Sequence, residues 1–68
     1  MKVSIEGHEI DLPAWVVISM LSEGAEVLEE EAEEFELDGF IEKAERYKEL
    51  SKNLKGIKQT ISKSVSSL

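Results

Sequence analysis

Side chains able to do chemistry are few in this chain of 68 residues. Cysteine is absent, which excludes thiolate nucleophiles, disulfides and thiolate metal sites. His8 is the single imidazole, and it follows Gly7 where a turn is expected, a place where histidine is ordinarily solvated. The serines cluster toward the C-terminus, with no histidine beside them to act as base. What remains is carboxylate. Glu29, Glu30, Glu31, Glu33, Glu34 and Glu36 crowd one short stretch. Carboxylates at i, i+1 and i+4 share one side of a helix and in principle ligate Mg²⁺ through oxygen.

Glu30-Glu31-x-x-Glu34 resembles the first half of the metal-binding signature of the all-α nucleotide pyrophosphohydrolases related to MazG. The likeness covers five residues. The second half of that signature, a later Glu-x-x-Asp, is missing, because no Asp follows Asp38. The expectation is therefore a protein without catalytic residues, metal or cofactor.

The elements that must position these carboxylates follow from hydrophobic spacing. Lys2-Val3-Ser4-Ile5-Glu6 and Glu9-Ile10-Asp11-Leu12 alternate polar and apolar residues with period two. Between them Gly7-His8 fits a two-residue type II′ turn, which takes glycine first. That turn would set Ile5 opposite Ile10 and Val3 opposite Leu12, with all four on one side of the ribbon. Two strands alone are marginal in water, so that side is expected to lie on a helix. Pro13 then suits a helix start, with Asp11 or Leu12 before it as the cap.

From residue 13 to residue 37 a first helix is expected. Ala14, Ile18, Leu21, Ala25, Leu28, Ala32 and Phe35 step by four and three without a break, a heptad seam of alternating small and large residues. Off that seam the two halves differ. Residues 29–36 carry only Glu there, whereas Trp15, Val16, Val17, Met20, Gly24 and Val27 make the earlier half apolar nearly all round. Asp38 is read as the N-cap of a second helix over 39–66, with Glu42 in its first turn and a frayed Ser-rich end. Phe40, Ala44, Tyr47, Leu50, Leu54, Ile57, Ile61, Val65 and Leu68 form its apolar stripe. Gly56 sits inside it, either as a point of close contact facing Gly24 or Met20 or as a break, and the unbroken phase favours one continuous helix. The short link makes the two helices antiparallel. The fold class is α+β, mostly α: a β-hairpin over 1–12 followed by a long helical hairpin, ββαα, in a single domain.

Charge decides which partners are compatible. The net charge is −7. Residues 23–38 hold eight Glu and Asp38 with no base, while Lys52, Lys55, Lys58 and Lys63 fall after residue 50 with no acid. Direct binding to nucleic acid or anionic lipid is disfavoured, and no apolar run is long enough to span a membrane. The N-terminus has no secretory pattern, so a cytoplasmic protein is expected. A chain this small without disulfide or metal has little core, which points to a homodimer through the helices.

The functional expectation is a binding protein. Glu26, Glu29, Glu30, Glu33, Glu34 and Glu36 form the candidate surface for a partner protein with a basic face, and Trp15, Val16 and Met20 the candidate dimer contact or hot spot. Small acidic inhibitors made by phages against bacterial defence nucleases share this size and charge, since rows of carboxylates imitate the phosphates of nucleic acid. The alternatives are a coiled-coil assembly protein, or an antitoxin-like regulator acting through its C-terminal segment.

Overall fold

In the computed structural model, which describes residues 1–66, a two-stranded antiparallel sheet precedes two long helices. The strands are β1 (Lys2–Ile5) and β2 (His8–Asp11), and the helices α1 (Ala14–Leu37) and α2 (Ile41–Ser66). This is the ββαα architecture expected from the spacing.

The hairpin turns one step earlier than expected. Glu6 and Gly7, not Gly7 and His8, form its tip, with φ of 49° and 82°. Positive φ at both central positions is the signature of a type I′ turn, whose twist matches that of paired strands. Val3 therefore lies opposite Ile10, Ser4 opposite Glu9 and Ile5 opposite His8. The register moves by two residues, which changes every partner but leaves each side chain on its side. The gain lies at the open end: the Leu12 amide donates to the Met1 carbonyl at 2.8 Å, and the Met1 ammonium donates to the Leu12 carbonyl at 2.9 Å. His8 consequently belongs to a strand rather than to the turn.

Neither helix carries this sheet. No strand Cα comes within 8 Å of a helix Cα, and Met1, Ile5 and Ile10 remain exposed, with Val3 and Leu12 half-buried. Only Leu12 and Pro13 separate β2 from α1, and Pro13 is extended (φ −57°, ψ 143°). Pro13 itself occupies the N-cap position, its carbonyl accepting from Val16 and Val17, and no side chain caps α1.

The α1 seam is as the heptads require: Ala25 and Ala32 are buried, and Ala14, Ile18, Leu21, Leu28 and Phe35 are half-buried. On α2 the covered row is Ala44, Tyr47, Ser51, Leu54, Lys58 and Ile61. Leu50 and Ile57, expected in that stripe, are exposed, as are Phe40 and Val65, while Leu68 lies outside the described residues. Strict four-and-three stepping from Ala44 selects Ser51 and Lys58. A purely apolar reading substitutes their apolar neighbours and rotates the stripe. The small residues Ala25, Ala32, Ala44 and Ser51 are the most deeply covered, and they let the helices approach closely.

Asp38 closes α1 rather than opening α2. Gly39 (φ 87°) donates to the Glu36 carbonyl, and the Phe40 amide reaches back to Phe35 at 2.8 Å, the paired bonds of a Schellman motif. The apolar contact that accompanies this motif is present, the Phe35 and Phe40 rings meeting edge to face at 6.3 Å. The first helical bond of α2 runs from the Ala44 amide to the Phe40 carbonyl, so α2 begins after Phe40, with Glu42 in its first turn. It stays helical through Gly56 and on to Ser66. The Cβ position of Gly56 meets nothing; the close contact is at Gly24, where a Cβ would stand 3.3 Å from Leu54 Cδ1.

Candidate functional site

The six glutamates expected to form one surface divide into two sets. Glu29 and Glu36 turn toward α2 and pair within the chain. Lys55 Nζ donates to Glu29 Oε1, and Lys48 Nζ to Glu36 Oε2 at 2.6 Å. The Ser51 hydroxyl lies 3.0 Å from the Ala25 carbonyl oxygen and 3.1 Å from Glu29 Oε1, one proton serving either acceptor. The hydrogen bonds from Lys55 and then Ser51 hold the Glu29 carboxyl below the usual carboxylate range. Lys48 is held above the usual ammonium range, first by its hydrogen bond to Glu36, with Glu45 and Glu33 adding to the field. Mirror spacing about Asp38 puts Glu23 and Glu26 near Lys52 and Lys55 and leaves residues 29–36 without a spare cation. The register is the mirror one, Ala25 and Ser51 each standing thirteen residues from Asp38; Glu29 and Lys55, each one turn past that contact, meet because helical side chains lean toward their own N-terminus.

Glu26, Glu30, Glu33 and Glu34 make no ion pair among the described residues and are exposed. Glu26, Glu30 and Glu34 follow one another at four-residue steps, a row of carboxylates about 5–6 Å apart at Cβ. Glu33 lies beside it. This row runs along the side of α1 turned away from α2.

The apolar candidates divide as well. Trp15 is 70% exposed and is not covered by the hairpin. It stands eighteen residues, about five helical turns, before Glu33, and so shares the carboxylate-bearing side of α1. Met20 is rotated about 140° from Trp15 around the helix and lies on another flank, with the half-buried Val16 between. Trp15 and Met20 therefore do not form one contact.

Among the described residues, no three acidic, histidine or cysteine side chains converge where they could hold a metal ion. Glu30 and Glu34 have no facing carboxylate on α2, because the ridge they occupy is turned outward. A shallow groove runs along α2 over Gly56, between Lys52, Asn53, Ile57 and Thr60, and offers no buried polar group to a ligand. No described helix is long and apolar enough to cross a membrane. Comparison with protein-family models, curated proteins and solved structures finds no match to this chain.

Proposed function

We propose that this chain is a non-catalytic binding protein whose outer α1 surface docks on a basic face of another protein. The observation that carries this reading is the coincidence, on one side of one helix, of an exposed indole and an unpaired carboxylate row. Trp15 supplies a large apolar anchor of the kind enriched in hot spots. Glu26, Glu30, Glu33 and Glu34 supply charge complementarity, which raises the association rate and selects basic partners. Glu29 and Glu36 are withdrawn from the contact set, because Lys55 and Lys48 already hold them. The acids also accumulate toward the C-terminal end of α1, where the helix dipole disfavours them, a cost that a cationic partner relieves.

A partner that handles nucleic acid in the cytoplasm fits this surface, since a groove lined by Lys and Arg for phosphates accepts a rigid line of carboxylates equally well. Inhibition of such a complex, in the manner of a phage-encoded anti-defence protein, is the form of the activity we favour. The test is charge reversal at Glu26, Glu30 and Glu34 together, each to Lys. Capture of the partner from a bacterial lysate, identified by mass spectrometry, should be lost in the reversed protein while its helical circular dichroism is kept. Added salt should weaken the wild-type complex. Undiminished capture by the reversed protein would remove the acidic surface from the mechanism.

A further inference from the structure

The two helices form a single layer with unlike faces. The Glu29–Lys55 and Glu36–Lys48 pairs mark one face. The opposite face is apolar over its middle stretch, with Glu31, one turn past Val27, at its end. Helical spacing puts Met20, Gly24 and Val27 on that flank of α1 and Leu50 and Ile57 on that flank of α2, the side on which Lys43 lies over the Phe35 ring at 4.6 Å. Met20 (48% exposed), Val27 (52%), Leu50 (44%) and Ile57 (50%) surround the contact of Gly24 with Leu54. Gly24 adds no side chain at the centre, so the patch is low there and admits another helix closely.

We infer that this face is covered by a second copy of the same chain, pairing two helical hairpins into an antiparallel four-helix bundle. Area argues for it. The chain exposes 5469 Å². A compact monomer of 7.6 kDa would expose about 4,300 Å², leaving an excess of about 1,200 Å². A standard interface takes about 800 Å² from each partner, so one covered face accounts for most of the surplus. Shape argues the same way: the extents are 45 × 27 × 14 Å, an elongated chain rather than a compact one. A two-fold axis through the patch sets each copy's apolar face on the other and leaves both outer α1 surfaces free. The pairing is thus independent of the acidic docking surface.

Sedimentation equilibrium at micromolar concentration tests it. The wild-type chain should run at twice 7.6 kDa. Leu50→Glu with Ile57→Glu changes only side chains that are exposed in the single chain, and should weaken self-association roughly a hundredfold or more while helical circular dichroism persists. Met20→Glu with Val27→Glu, on the other helix, should do the same and provides an independent arm should the first pair unfold. Leu37→Glu alters a more exposed residue off this face and should leave the dimer intact. A wild-type chain of 7.6 kDa across that range overturns the proposal, as does a dimer that survives both double variants or one that Leu37→Glu dissociates. A monomeric result leaves the charge-reversal test of the acidic surface unaffected.

Discussion

Glu29 shows how much of the acidic stretch is committed to the protein's own architecture. Its carboxyl is lowered by Lys55 and Ser51, so its contribution to stability is complete above the unfolded-state value and is lost as pH falls through the folded one. Glu29→Gln keeps the size and one acceptor oxygen but not the charge. In urea titrations the wild type should exceed this variant in stability at neutral pH, and the difference should shrink to nothing on acidification below the carboxylate range. A difference that stays constant with pH would detach Glu29 from the ion pair. For Lys48 the sign is reversed, its contribution being present below the ordinary ammonium value and lost at higher pH. These pairings could not be read from the chain. The mirror about Asp38 gives the backbone register, as the Ala25–Ser51 contact shows, but Glu29 and Lys55, each one turn past that contact, meet through the lean of their side chains.

At the level of elements, the α1 heptads were legible because every position repeats in strict four-and-three steps and every seam residue is apolar. The α2 row was legible only in part. Ser51 and Lys58 occupy seam positions, and a search for apolar residues passes over them to Leu50 and Ile57. The signal that could have found the true row is the phase of Ala44, Tyr47, Leu54 and Ile61, which leaves heptad gaps where those two polar residues sit. The hairpin tip was misplaced because glycine serves either position of a two-residue turn, and nothing local announces that Glu6 will accept φ of 49°. The two helical glycines give a direct comparison. Gly56 faces open space, so Gly56→Ala should stabilise by about 1 kcal/mol and raise the melting temperature by about 4–8 °C. Gly24→Ala sets its methyl 3.3 Å from Leu54 Cδ1 and should gain less than Gly56→Ala, or lose stability. Thermal denaturation of both variants, followed by circular dichroism, checks the order; equal gains would place Gly24 away from the seam.

For the whole molecule, stability is unevenly distributed. The helices bury their seam against each other, whereas the sheet is two strands wide and rests on neither helix. A lone hairpin is marginal in water. Amide hydrogen exchange should therefore be rapid across residues 2–11 and slow at seam positions such as Ala25, Ala32 and Ala44, by about a hundredfold or more. Comparable protection in both regions would mean that another surface covers the sheet. The expectation that the ribbon would lie on a helix follows from its apolar side. The strands instead stay more than 8 Å, Cα to Cα, from both helices, with Met1, Ile5 and Ile10 exposed. The Glu-rich surface was legible as composition, but its division into paired and unpaired members required the reach of the side chains between the helices.

Trp15 is the single tryptophan, and it stands almost uncovered at the start of the carboxylate-bearing surface. The chain therefore contains its own optical reporter, with the long-wavelength emission of a hydrated indole while that end of α1 is open. Whatever seats itself there will shift the emission toward the blue and shield it from iodide, so occupancy is readable without any attached dye.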